Sequence, residues 1–326
     1  MRLGQLRAAL GLPGEALETL AGLSAAPLDA EIAYQRGLAY LALGDANSAE
    51  AAFRDALAQA PAHRRACLKL CRLLRDGGRM TDLLALCEQL AAQRVAHAQL
   101  LLDWGRALAI AGEDDRARAL LFDPRRVTRN PLAMPEGFNA AFAEELLANP
   151  YRISEFPSDE EANRGSSRVH HLLSGARPDL ARTLLGAIAR AVEDRLQALD
   201  MPGDNVFDPW AKARPDAAHF HPWGLIQKDA AYEAWHTHRG GWLSGVYYVR
   251  VPRGIAEATD GRGALEFGPP PYLARARPGF LETRRYVPDE GILVLAPSHY
   301  HHRTIPSGLD QYRLSFAFDV VPDDAP

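Results

Sequence analysis

The sequence predicts a multidomain α and β chain: an all-α solenoid of helical repeats, then an antiparallel β sandwich or barrel with flanking helices. Three observations carry this. Glycines recur at Gly11, Gly44, Gly78 and Gly112, spaced 33, 34 and 34 residues apart. Prolines then cluster between Asp123 and Arg168 (Pro124, Pro131, Pro135, Pro150 and Pro157), where the period is lost. Beyond Asp200, short β-branched and aromatic runs follow one another across Gly/Pro-rich stretches such as Gly268–Pro271. Strands with no helices between them build antiparallel sheets rather than βαβ units.

The repeats come first in the chain. Ala16, Ala49, Leu83 and Ala117 each follow five residues behind a repeat glycine. In the best-formed unit, Ala30 to His63, Gly37 and Tyr40 lie in one helix, Gly44 turns the chain, and Ala49, Phe53 and Ala56 lie in the next. Small residues there let two helices approach closely, with Tyr40 and Phe53 expected to fill the gap. Position by position this unit resembles the tetratricopeptide repeat. Arg64–Ala96 is a degenerate copy, with Cys71, Leu83 and Cys87 at the small or aromatic positions, and a third copy surrounds Trp104, Gly112 and Ala117. The first copy begins mid-helix at Met1, so a capping helix is absent or the start is unusual. One unit cannot bury its apolar face alone, so the stack supplies the core. Such an array implies a concave surface for a protein or peptide partner.

Proline lacks an N–H and disfavours helix in the residue before it. The cluster therefore sets a boundary near residue 128, with repeats over 1–128 and a second domain over 129–326. There a short helix is expected over Phe138–Leu147. A longer one is expected from Pro178, a good first-turn residue, to Leu199, burying Leu180, Leu184, Ile188, Val192, Leu196 and Leu199. Strands are expected at Gly224–Lys228, Trp242–Val251, Ala264–Phe267, Gly291–Ala296 and Tyr312–Val321.

Composition narrows the function classes. The 326 residues are 47% hydrophobic and 24% charged, with a net charge of −4. That is ordinary for a globular protein and argues against nucleic acid or an anionic membrane as the main partner. No apolar run approaches the roughly 18 residues that span a bilayer, and Pro13, Glu15 and Glu18 interrupt any signal-peptide core behind Arg2 and Arg7. Three cysteines, Cys67, Cys71 and Cys87, are few and odd in number. They read as small buried hydrophobes and fit a cytoplasmic location.

Chemistry concentrates at the other end. Nine of the eleven histidines lie between His170 and His302. His236 and His238 stand at i and i+2, and side chains at that spacing share one face of an extended chain, so both can point at a common atom. A metal site is the simplest use for them. In the last strand Arg313, Ser315 and Ala317 face one way, and Leu314, Phe316, Phe318 and Val320 the other. One face thus buries Phe and Leu, while the opposite face holds an Arg, whose planar fork suits a carboxylate, beside a small hydroxyl.

These segments, His-x-His with GWLSGVYYV, then GALEFG, PSHYHHRTIP and YRLSFAFDV, resemble the iron(II)/2-oxoglutarate-dependent oxygenases. More narrowly they are similar to a bacterial branch that carries this domain behind tetratricopeptide repeats. The resemblance covers roughly residues 130–322 and is weak between 253 and 285. It implies a double-stranded β-helix (jelly-roll), Fe(II) as cofactor, 2-oxoglutarate as cosubstrate, and a dioxygenase, expected to be a hydroxylase, that turns O2 and 2-oxoglutarate into succinate, CO2 and an oxidised substrate. Carried over residue by residue, His236 matches the first metal ligand and His302 the distal one. Arg313 and Ser315 match the Arg-x-Ser clamp on the far carboxylate of the cosubstrate. Tyr248 matches a phenol that often hydrogen-bonds it, whereas Tyr247 faces the core.

One departure stands out. Two residues after the first histidine the family has a carboxylate, and here that residue is His238. His238 is a third ligand, or it stands beside a two-histidine site completed by water, or a carboxylate from elsewhere (Glu266 or Glu233) completes the set. His170, His171, His219 and His221 read as structural or surface residues, Trp242 as core, and one of His299 and His301 as part of the pocket mouth. Two further classes stay in view: a non-catalytic scaffold or metal and metabolite sensor, and a cosubstrate-independent three-histidine dioxygenase of the cupin kind, which leaves Arg313 and Ser315 unexplained.

Overall fold

The computed structural model of the chain describes residues 11–21, 23, 29–154, 162–199 and 207–323. Met1, Arg2, Arg7, Pro157 and Asp200, on which expectations above rested, lie outside the described residues. The rest falls into two units that part at Ala117 and Arg118.

The first unit is a succession of helices that pack on their neighbours: α1 (Pro13–Ala21), α2 (Asp29–Ala42), α3 (Ala46–Gln59), α4 (Arg64–Asp76), α5 (Met80–Ala92), α6 (Ala98–Ala111) and the start of α7 (Asp114–Leu121). The four repeat glycines all have positive φ, between 70° and 81°. At Gly44, Gly78 and Gly112 that left-handed turn lies between one helix and the next, and an L side chain would strain it. The glycine period is thus a period of turns. Between α2 and α3 a Cβ on Gly37 would run into the Phe53 ring, and Ala49, Phe53 and Ala56 are fully buried. The aromatic partner of Phe53 is Tyr34, with ring centroids 5.9 Å apart. Tyr40, expected in that place, is only half-buried. Cys67, Cys71 and Cys87 are buried free thiols, as expected of small hydrophobes.

Two histidines work as helix caps at equivalent repeat positions. His63 Nδ1 accepts from Ala66 N, and His97 Nδ1 accepts from Leu100 N, each at 3.2 Å. The acceptor role demands a neutral ring.

The second unit is a double-stranded β-helix. Its large sheet has the strand order β1 (Thr128–Pro131), β10 (Ile292–Pro297), β7 (Leu243–Arg250), β12 (Tyr312–Pro322), β5 (Ala218–Lys228), β4 (Ser167–Val169), β2 (Arg152–Ile153), antiparallel throughout. A smaller sheet has the order β11 (His302–Thr304), β8 (Leu265–Phe267), β9 (Arg284–Tyr286), and β3 (Asn163–Arg164) pairs with β6 (Tyr232–Glu233). The two flanking helices, α8 (Phe138–Ala148) and α9 (Pro178–Leu199), lie where the sequence places them. Leu180, Leu184, Ile188 and Val192 of α9 are buried, while Leu196 and Leu199 are half-buried. Strand β5 begins six residues before its expected start because the full-length ladder with β12 runs straight through Pro222, which stands opposite Phe318.

β12 divides core from site. Leu314, Phe316 and Phe318 are fully buried, and Phe142 of α8 packs on Phe316 at 5.9 Å. Tyr247 of β7 faces the same layer, its hydroxyl donating to Asn139 Oδ1 at 2.7 Å. The register shifts between Leu314 and Ser315, a bulge beside the residues expected to bind cosubstrate. Among the described residues no helix is long and apolar enough to cross a membrane.

Two outcomes are expected of the repeat unit. Phe53→Ala opens a cavity between α2 and α3 and should cost about 3–5 kcal/mol, read from the denaturant midpoint of that unit's transition. Burial, reinforced by the Arg64 charge, pushes His97 down to about 3. The unfolded ring, near pH 6.5, takes up its proton first, so stability should be full above that pH and fall as pH drops from about 6.5 toward 3. His97→Asn keeps a capping side chain without the titration and should flatten the urea midpoint against pH; an unchanged slope contradicts the assignment.

Candidate metal centre

The histidine pair lies in the extended stretch between β6 and β7. His236 forms an isolated antiparallel bridge with His302: each N–H donates to the other's carbonyl, at 2.9 and 3.0 Å. Two residues on, His238 N donates to Ser298 O at 2.9 Å. The main chain is therefore pinned at both histidines, and the i, i+2 alternation turns both rings to one side. Candidate ligand atoms of His236, His238 and His302 all lie within 4.8 Å of one another. His238 Nε2 and His302 Nε2 are 3.2 Å apart, and those two rings are parallel within 5°.

Each ring is oriented through its other nitrogen. His236 Nδ1 meets Ala234 O at 2.7 Å, His302 Nδ1 meets Tyr300 O at 3.0 Å, and His238 Nδ1 meets the Asp319 carboxylate at 2.9 Å. With those acceptors Nδ1 carries the proton, and the three Nε2 lone pairs converge. Such hydrogen bonds behind metal-binding histidines fix tautomer and ring orientation. Burial pushes His236 down to about 3, helped by His238. Burial first, then His236 and His238, hold His302 well below the ordinary range. Neutral imidazoles are the form that binds a metal. A separation of 3.2 Å between two donors suits a shared cation at the roughly 2.0–2.1 Å usual for imidazole nitrogen on zinc.

Of the two carboxylates expected as alternative completing ligands, Glu266 has both oxygens paired and Glu233 only one, its Oε1 having no partner. Glu266 is held by Arg285 and Arg303, each at 2.6 Å. Glu233 lines the cavity, with Arg168 at 2.8 Å from it. Among the described residues the histidine group includes neither.

A cavity of about 750 Å³ opens over the histidines, lined from both sheets. Arg313 and Tyr248 share it. Arg313 is 3% exposed; its Nη1 donates to Gly263 O at 2.5 Å, while its Nε has no partner. Ser315 lies two residues along the same strand face, fully buried, and its Oγ also has no partner. Buried donors are nearly always satisfied, and of these two exceptions Arg313 lines the cavity while Ser315 lies outside its lining. Burial works to lower Arg313, opposed by Tyr248 and Glu233, but a guanidinium stays charged at neutral pH. Burial raises Tyr248, which keeps its phenol protonated as a donor.

All six expected residues are therefore buried or half-buried on the inner face of one unit, and five of them line the cavity, Ser315 being the exception. His170 and His221, expected in structure or at the surface, are exposed, and both also border the cavity. His301 also lines it, whereas His299 is buried and hydrogen-bonded to Leu120 O at 2.8 Å. His171 and His219 lie at the surface, the latter 2.8 Å from Asp323. Trp242 is core, stacked on Trp210 at 4.6 Å. Sequence reasoning missed Trp223, which stacks on His238 at 5.6 Å, and Asp319. The second was within reach, since 313, 315, 317 and 319 alternate onto one strand face.

Among curated proteins none matches the chain. Solved structures similar to it include a Pseudomonas putida prolyl-4-hydroxylase, with 16% identity over 65% of this chain and 98% of that one, at a TM-score of 0.41. The epimerase SnoN from nogalamycin biosynthesis has 19% identity over 66% of this chain and 84% of its own, at 0.43. The MamA protein has 22% identity over 37% of this chain and 66% of its own, at 0.31. Residues 221–319 match the model of the family described as "Putative 2OG-Fe(II) oxygenase". That stretch begins in β5 and closes on Asp319, it takes in His236, His238, His302, Arg313 and Ser315, and the family's description names Fe(II) and 2-oxoglutarate.

Proposed function

We propose that this chain is a working 2-oxoglutarate-dependent dioxygenase that hydroxylates a protein or peptide substrate recruited by its helical repeats. Residues 1–128 act as the recruiting array and 129–326 as the catalytic domain. His236, His238 and His302 hold Fe(II), while Arg313, Ser315 and Tyr248 hold 2-oxoglutarate. The observation that supports this best is the pairing, in one cavity, of three converging imidazole lone pairs with a buried guanidinium whose Nε has no partner.

When bound, Fe(II) and 2-oxoglutarate supply the oxidising chemistry, in which O2 and 2-oxoglutarate give succinate, CO2 and an oxidised substrate. The protein supplies placement. The Nδ1 hydrogen bonds fix the direction of each ring and leave the Nε2 lone pair of its neutral form free for a metal. Arg313 and Ser315, buried beside Tyr248, offer donors to a carboxylate where water is scarce and a charge-assisted hydrogen bond is strong. Trp223 and the pocket histidines His170, His221 and His301 border the space left for substrate.

A sensor without catalysis is the second reading, and the histidine at position 238 is what favours it. The two separate in one experiment. Fe(II)-dependent succinate release from 2-oxoglutarate is expected of the wild type. Arg313→Met should raise the cosubstrate KM at least about 10-fold, the loss of one hydrogen-bonded charge. Unchanged turnover in that variant would remove the mechanism, and tight 2-oxoglutarate binding with no succinate formed would establish the sensor.

A further inference from the structure

The three imidazoles are held from behind by acceptors of two kinds. His236 and His302 donate to main-chain carbonyls, of Ala234 and Tyr300. His238 alone donates to a carboxylate, with its Nδ1 2.9 Å from one oxygen of Asp319 and 3.1 Å from the other. That carboxylate is 8% exposed and held in turn: Ser244 Oγ donates to it at 2.6 Å and lies 2.7 Å from Ser298 Oγ. Ser298 closes the loop by accepting His238 N at its carbonyl. The ring itself is packed between Trp223 and the parallel ring of His302.

Charge gives this asymmetry its meaning. Three neutral imidazoles bring no charge to a divalent cation, whereas the 2-His-1-carboxylate set usual for non-haem Fe(II) brings one negative charge. Of the three, the histidine backed by a carboxylate is the one that stands where that set has its carboxylate. We infer that Asp319 supplies the missing charge through His238, so that the Asp319–His238 pair acts as the anionic member of the centre, with Ser244 and Ser298 as positioning residues. A carboxylate that accepts the Nδ1 proton leaves more electron density on the ring and makes Nε2 a stronger donor. This rests on the metal-centre reading above.

The test uses the full-length, metal-free protein titrated with Co(II) without oxygen and followed by visible absorption. Asp319→Asn keeps an amide oxygen for His238 Nδ1–H, and Ser244 can turn its hydroxyl to accept, so the variant removes charge while hydrogen bonds persist. Binding should weaken about 10- to 100-fold, the usual cost of losing a partner behind a metal ligand, and the absorption bands should shift. Ser244→Ala, which strips one hydrogen bond from the carboxylate, should weaken it severalfold and carries the same comparison if Asp319→Asn does not fold. The decisive comparison repeats each change in a His238→Asp background, where the charge already sits beside the metal. There the effect should shrink to roughly twofold, the scatter of uncoupled sites. An equal loss in both backgrounds, or no loss in either, overturns the inference. Wild-type protein that takes up no Co(II) ends the metal-centre reading with it, whereas normal uptake with an unaffected Asp319→Asn ends only this one.

Discussion

Three nitrogen lone pairs aimed at one point repel each other, and the second unit is built to hold them there. His238 Nε2 and His302 Nε2 face one another across 3.2 Å, while both Nδ1 atoms are engaged elsewhere. A cation between them turns that repulsion into attraction; the fold has to bear it otherwise. It does so with main chain. The reciprocal His236–His302 bridge and the His238 N to Ser298 O bond fix the backbone at all three histidines. Burial disfavours the charged form of the His236 and His302 rings.

The same economy governs β12. One strand, paired with β5 along its whole length and with β7 along most of it, presents Leu314, Phe316 and Phe318 to the core under α8 and Arg313, Ser315 and Asp319 to the opposite face. Side-chain alternation makes these two sets inseparable, since a one-residue slip would exchange them. The register that buries the phenylalanines is therefore also the register that aims the guanidinium into the cavity and sets Asp319 behind His238. Core packing and site geometry share one constraint, and the bulge at Leu314–Ser315 is a local adjustment within it.

How much of this was legible in the sequence follows from how local each cause is. The repeat glycines were legible because a left-handed turn is a single-residue requirement. Helix α9 was legible from Pro178 and an apolar stripe, and β7 and β12 from their aromatic and β-branched runs. Tyr34 against Tyr40 was not legible, because both belong to one helix and the choice depends on how α3 crosses it. Strand β5 was cut short at Pro222 and Gly224, residues that ordinarily end strands, and only the presence of β12 beside it overrides them. The exposure of His170 and His221 is legible in the sequence, whereas their place on the rim of the cavity is not, because it depends on tertiary placement.

Placing the charge behind a histidine rather than on the metal has a chemical consequence. A carboxylate ligand favours hard, oxygen-loving cations, whereas three imidazoles accept iron, zinc, copper or nickel with little preference. The histidine set by itself therefore discriminates less between metals than the set with a carboxylate would. A negative charge one hydrogen bond away restores part of the electrostatic attraction to any divalent ion but adds no geometric preference of its own. Selectivity then has to come from the rest of the cavity. Arg313, Ser315 and Tyr248 favour whichever metal binds together with a dicarboxylic acid, so the clamp that orients the cosubstrate is also what narrows the choice of metal.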